Sequence, residues 1–271
     1  MRWAIKSRPI TCLFVGIFLV QLSACHKAVQ PAYTVWDPTH GSEVLGSNDV
    51  LALWLTRIYG LSPETALVLG AYQVEMKTLK TVLLRTVDDG RSWRDVSPTV
   101  RDGTLFGVDF VDAKVGLAYG QSATGDPGAP FFLRTDDGGA TWTLVGALQT
   151  AGSPAVYEFD LENAEHGVIK LLFHAVGISP ERPHRIETHE THDGGKAWLR
   201  TSSNTVSDSE AGQIGERMDD ETTHLHNGFG WQLSEADGDA WTYGYWVSRS
   251  ADAGATWQRV ARFPRHPYAP N

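Results

Sequence analysis

The chain has 271 residues, with 32 Asp and Glu against 23 Lys and Arg, a formal charge of −9. That balance argues against nucleic acid and anionic lipid headgroups as partners, which are gripped by basic patches; a basic protein partner is permitted but not required. Two cysteines in a chain of this length make no disulfide framework and no Cys-based metal motif, so stability has to come from packing.

The first residues read as an export signal. Arg2, Lys6 and Arg8 precede an apolar run from Ile10 to Val20 that is short for a bilayer span. The run ends in Leu22-Ser23-Ala24-Cys25, which resembles the bacterial lipobox. The resemblance implies that residues 1–24 are removed and that Cys25 becomes a lipidated N-terminus, tethering the protein to a membrane without a spanning segment. His26 follows, where lipoproteins retained at the inner membrane often carry Asp, so the resemblance implies the periplasmic face of the outer membrane. The signal holds three basic and no acidic residues, so the remainder carries 20 basic against 32 acidic side chains, a balance of −12. Residues 25–47, with Pro31, Pro38, Gly41 and Gly46, read as a tether, in which Tyr33-Thr34-Val35-Trp36 is a candidate extra strand.

From residue 48 to 271, runs of four to eight β-forming residues alternate with Gly, Asp, Pro and Asn. The first unit has Val50–Leu55, Ala66–Leu69 and Thr81–Arg85. The second has Leu105–Phe110, Val115–Tyr119, Pro130–Arg134 and Trp142–Val145, with a polar loop from Ser122 to Gly128. The third has Val156–Leu161, Val168–Phe173 and Arg185–Thr188. The fourth begins with a polar stretch, Ser209 to Thr223, and recovers at Gly228–Leu233 and Tyr243–Val247. Ser62-Pro63-Glu64 is a candidate helical turn, and nothing else predicts a substantial helix.

Each unit carries one copy of an octapeptide, S/T-x-D-x-G-x-S/T-W, starting at Thr86, Thr135, Thr191 and Ser250; Ala197 is its one departure. The tryptophans are 49, 56 and 59 residues apart, room for one four-stranded sheet per interval. Repeated four-stranded sheets predict an all-β propeller of four blades, with a fifth left open to the N-terminal stretch. The octapeptide's chemistry is that of a turn. Asp88, Asp137, Asp193 and Asp252 can fold back on backbone N–H groups, Gly90, Gly139, Gly195 and Gly254 tolerate positive φ, and Trp93, Trp142, Trp198 and Trp257 can wedge between sheets. A calcium loop or a catalytic carboxylate pair is the rival explanation of so much Asp.

The phrase resembles the Asp-box, or bacterial neuraminidase repeat, which in that superfamily joins the third and fourth strands of a blade. The resemblance extends to propellers of the photosystem II assembly-factor and sortilin types, and implies a non-catalytic, lipid-anchored envelope protein that binds or helps assemble another protein, with an inhibitor or immunity role as a variant. Sialidases share the box, but their Arg-Ile-Pro signature is matched here only by Arg57-Ile58-Tyr59, and the ring is two blades short. The alternative is a carbohydrate-binding or sialidase-like glycoside hydrolase, using the aromatic set Trp231, Trp241, Tyr243, Tyr245 and Trp246 and carboxylates such as Asp219, Asp220 and Glu221. A deep cavity with paired carboxylates beneath aromatic rings favours that alternative; a shallow uncharged face favours a protein partner. His184, His189 and His192, and the pair His224 and His226, could meet a metal only if a neighbouring blade supplied a further ligand. The expectation is no metal, no cofactor and no catalytic residue.

Overall fold

In the computed structural model, the described residues form sixteen strands in four antiparallel sheets, each in simple sequence order, with one helix between the third and fourth sheets. The structure describes residues 52–74, 77–100, 103–122, 128–150, 152–174, 183–216, 222–226, 228–236 and 244–264. Cys25, the signal and tether segments, the candidate strand at Tyr33, the loop residues 123–127, Asp219, Asp220, Glu221, Trp241 and Tyr243 lie outside them.

Blade 1 is β1 (Ala52–Gly60), β2 (Ala66–Val74), β3 (Lys77–Thr86) and β4 (Arg94–Asp95). Blade 2 is β5 (Gly103–Phe110), β6 (Gly116–Ser122), β7 (Pro130–Thr135) and β8 (Thr143–Ala147). Blade 3 is β9 (Ala155–Leu161), β10 (Gly167–Phe173), β11 (His184–Thr191) and β12 (Leu199–Val206). Blade 4 is β13 (Thr223–His226), β14 (Phe229–Ala236), β15 (Gly244–Ser250) and β16 (Gln258–Pro264). The first strands, β1, β5, β9 and β13, line a shared cavity and therefore surround the axis. The chain is a four-bladed β-propeller.

The octapeptide closes each blade between its third and fourth strands. In every copy the first hydroxyl donates to the Asp carboxylate (Thr86 to Asp88, 2.9 Å; Thr135 to Asp137, 2.8 Å; Thr191 to Asp193, 2.9 Å; Ser250 to Asp252, 2.7 Å) and accepts from the fifth residue's N–H. The Asp in turn accepts the N–H of the seventh residue (Ser92, Thr141, Ala197, Thr256). Three copies add the seventh residue's hydroxyl; Ala197 has none to give. Such bonds lower the pKa of Asp88, Asp137 and Asp252, and that of Asp252 falls to about 2, chiefly through the Thr256 and Ser250 hydroxyls. Fourth and fifth positions both take positive φ, which explains Gly138-Gly139 and Gly194-Gly195; Ala253 adopts φ 53° without being glycine.

Neighbouring blades are sealed by apolar faces. Blade 4 meets blade 1 through Trp231, Leu233, Val247, Ile58, Val68 and Val82, with Trp93 edge-on to Trp231. Blade 1 meets blade 2 through Leu67, Leu69, Leu83, Val108, Phe131 and Leu133, with Trp142 against them. Blade 2 meets blade 3 through Leu117, Tyr119, Phe132, Ile169 and Leu171, with Trp198 stacked on Phe132 at 4.4 Å. The octapeptide tryptophans of blades 1, 2 and 3 thus wedge toward the preceding blade. Burying each such ring removes roughly 150–250 Å² from water, so each is a major element of its seam.

Between blades 3 and 4 the pattern changes. The outer part of blade 3's face is covered by helix α1 (Asp208–Glu216), whose Ala211 and Ile214 pack on Leu172, Val206 and Ile186. This helix corrects the expectation of irregular structure there. Its two glycines hide it from propensity. It is held by the Ser207 hydroxyl accepting the Glu210 N–H, by acidic residues in its first turn, and by tertiary burial. Ser62-Pro63-Glu64 forms no helical turn: the Ser62 hydroxyl accepts the Glu64 and Thr65 N–H groups in a tight hairpin bend.

Candidate functional site

A cavity of about 640 Å³ occupies the axis, lined by residues of all four blades. Its polar groups are Arg57, Tyr59, Asp109, Asp112, Tyr119, Tyr157, Glu158, Asp160, Thr223, His224 and His226. Each octapeptide of blades 1 to 3 bonds to the first hairpin of its own blade (Asp89 N–H to Glu64, Gly138 N–H to Lys114, Gly194 N–H to Glu165). The residues Leu61 and Val111–Ala113 of the first two hairpins line the cavity. No octapeptide residue lines it.

The strand registers reveal a layer within this cavity. Tyr59 pairs with Leu67, Asp109 with Leu117, Asp160 with Val168 and His224 with Trp231, and each of these partners directly follows the second-strand residue (Ala66, Gly116, Gly167, Gly230) that pairs with the first residue of its blade's octapeptide. The four side chains are therefore equivalent positions of the four blades, and all four line the cavity. Three reach the next blade's backbone. His224 Nδ1 accepts the Gly60 N–H at 2.7 Å, the Tyr59 hydroxyl accepts the Val108 N–H at 3.1 Å, and Asp109 Oδ2 accepts the Leu161 N–H at 2.6 Å. Each side chain satisfies a backbone N–H that the blade's own hairpin leaves over. Asp160 does not follow the pattern: it is exposed and, among the described residues, its side chain makes no hydrogen bond or ion pair.

A second set of ties runs from the residue before each octapeptide. Arg85 donates to Gly138 O at 2.8 Å, Arg134 to Ala164 O at 2.6 Å and Arg249 to Pro63 O at 2.7 Å, each crossing to the following blade. Blade 3 has Glu190 at this position. Among the described residues both kinds of tie are thus missing between blades 3 and 4, where the facing surfaces are also polar. Lys170 pairs with Glu158 at 2.7 Å on blade 3, and Gln232, Ser234 and Ser248 line the matching side of blade 4.

The carboxylates of the cavity have different duties. Asp109 is used by the Phe110 and Leu161 N–H groups. Asp112 caps its hairpin through the Val115 and Lys114 N–H groups, which hold it below the ordinary carboxylate range. Glu158 and Asp160, on β9, carry charge into the cavity without backbone duties. Bulges in β1, β5 and β9 leave Thr56, Phe106 and Tyr157 as extra residues opposite the second strands. The Tyr157 phenol is pushed above its usual pKa, chiefly by burial.

Two sequence candidates for ligand contact are core residues. Trp231 is 0% and Tyr245 4% exposed, both packed between blades 4 and 1, and the Trp231 indole donates to Ser62 O. Alternation along β14 (Phe229-Gly230-Trp231-Gln232-Leu233) puts Trp231 on the apolar face of that blade, which is why it is unavailable. Trp246 lies beneath the Arg259 and Arg262 guanidiniums, away from the cavity. The histidines divide likewise. His189 is buried against Glu187, His184 lies beside Asp208, and His192 stands edge-on to His166. Among the described residues no three His, Cys, Asp or Glu groups are placed to share a metal. The cavity residues of β9 escaped sequence reading, although the alternation Tyr157-Glu158-Phe159-Asp160 puts two acids on one side of a first strand.

No protein-family model matches the chain, and no curated protein is similar to it. Among solved structures, it is similar to an α-L-arabinanase of Penicillium chrysogenum complexed with arabinobiose, at 15% identity and a TM-score of 0.42, over 78% of this chain and 70% of that one. A GH93 α-L-arabinofuranosidase of Fusarium graminearum gives 15% and 0.41 over 79% and 66%, and a Bacteroides ovatus xyloglucan PUL GH43B gives 12% and 0.37 over 83% and 44%. Similarity this low bears on neither ligand nor reaction here.

Proposed function

We propose that the chain is a ligand-binding propeller whose axial cavity takes a hydroxyl-rich ligand of the carbohydrate class. The observation that carries this reading is the cavity of about 640 Å³ with Glu158, Asp160 and Tyr157 facing it from one strand. Its volume suits a small ligand. Carboxylates accept hydroxyl hydrogens, and a phenol ring offers a stacking surface to a sugar's apolar face. Binding is a better reading than hydrolysis. Asp109 and Asp112 are committed to backbone amides, and N–H hydrogen bonds that stabilise a carboxylate's charge make it a poor general acid.

The reading extends to cellular setting. The octapeptides are inferred to be Asp-boxes that serve as scaffold, and lipid at Cys25 is inferred to hold the propeller at the periplasmic face of a bacterial outer membrane. Metabolic labelling with radioactive palmitate tests the anchor: label on the wild type and none on Cys25→Ser is expected, and label on both rejects it. Calorimetric titration with cellobiose, xylobiose, maltose and chitobiose tests the ligand class. Saturable binding of at least one is expected. No binding, together with a specific protein recovered by crosslinking in the native envelope, would return the protein to a partner-binding role.

A further inference from the structure

We propose that the ligand of the axial cavity is clasped at the junction of blades 3 and 4, with Asp160 as its principal contact, and that it completes there the closure that side chains supply at the other three junctions. This rests on the reading of the cavity as a carbohydrate site and adds where and how the ligand is held.

The argument is one of equivalence. His224, Tyr59, Asp109 and Asp160 occupy one register in four blades. The first three have their acceptor atoms satisfied by an N–H of the following blade, at 2.7, 3.1 and 2.6 Å. The acceptors of Asp160 are satisfied by nothing among the described residues, and the residue is exposed to the cavity. The arginine tie is replaced at the same junction by Glu190, which faces His192 at 3.7 Å instead of crossing to blade 4. On the opposite side stand Thr223 and His226, exposed on β13 and lining the same cavity, with Leu225 53% exposed beside them. Apolar seams exclude ligands because they are close-packed. A seam lined by Lys170, Glu158, Gln232, Ser234 and Ser248 offers polar groups instead, and water on such groups is exchanged for ligand hydroxyls at small cost. A ligand with several hydroxyls can donate to Asp160 and Glu158 while its other side meets Thr223 and His226, so both sides of the junction are engaged by one molecule. The other junctions have no such vacancy in their bonding.

The test uses the full chain in two measurements. Hydrogen exchange on the free protein should show amides 223–226 exchanging at least tenfold faster than those of Gly60, Val108 and Leu161; equal protection overturns the open junction, whatever the protein binds. Titration with the same four disaccharides should then give an affinity that falls at least tenfold in Asp160→Asn, with the melting temperature of that variant unchanged because the side chain is exposed and makes no bond. Binding should slow exchange at 156–161 and 223–226 more than at 104–110. Binding that Asp160→Asn leaves intact overturns the clasp and spares the carbohydrate reading. Failure of all four disaccharides to bind the wild type overturns both.

Discussion

The Gly60 N–H donates to His224 Nδ1 at 2.7 Å, joining residues 164 positions apart and the first blade to the last. A four-bladed ring turns through a large angle at each junction, so packing is supplemented by directional bonds. Replacing His224 by Ala leaves the buried Gly60 amide without a partner, at a cost of about 1–3 kcal/mol. Urea unfolding monitored by tryptophan fluorescence should show this loss. His226→Ala, on the exposed side of β13, should fall within about 0.5 kcal/mol of the wild type.

Glu190 marks the junction at which the arginine tie is missing, so Glu190→Arg should supply one. The expected gain is about 0.5–1.5 kcal/mol, with slower exchange at 223–226. No gain, or a loss, would show that the carbonyls of blade 4's first hairpin do not stand where those at Ala164 and Pro63 do.

Ala253 holds φ 53° where the corresponding residues of blades 2 and 3 are Gly138 and Gly194. A left-handed residue with a Cβ costs roughly 1–2 kcal/mol, part of which is returned to the unfolded state's entropy when glycine replaces it. Ala253→Gly should therefore stabilise the fold by about 0.5–1 kcal/mol, read as a higher urea midpoint at constant slope.

Acid stability should carry the signature of Asp252. Its folded pKa of about 2 lies below the ordinary aspartate value of 3.8. A depressed folded value means that the contribution is fully present above pH 4 and is lost as pH falls through about 2. A carboxyl NMR titration should place the Asp252 midpoint near 2, and Thr256→Val should raise it, since the Thr256 hydroxyl bond is the largest cause of the depression. An unchanged midpoint in that variant would reject the assignment.

The octapeptide was readable because its function is local. Asp137 meets Thr135 and Thr141, residues two and four positions away, so the constraint is written in consecutive letters. Blade number and strand order follow from that period. The polar face of blade 4 was not read, although the alternation of Trp231, Gln232, Leu233 and Ser234 differs from the continuous apolar run of β2. Helix α1 was not, because Gly212 and Gly215 lower its propensity and burial of Ala211 and Ile214 against Leu172 restores it. Trp231 also could not be placed from its neighbours, since an aromatic cluster spells a core and a stacking platform in the same way.

By itself, then, the amino-acid sequence determined four sheets, their turns and the residues that close them, since turn chemistry and hydrophobic period act over a few residues. Only the tertiary structure decided which side chains meet at the axis. Tyr59, Asp109, Asp160 and His224 are of three residue types and stand 50, 51 and 64 positions apart, so nothing in the chain marks them as one layer. Their equivalence arises from strand register and ring closure, and only these expose the difference between three acceptors already satisfied and one left facing the cavity.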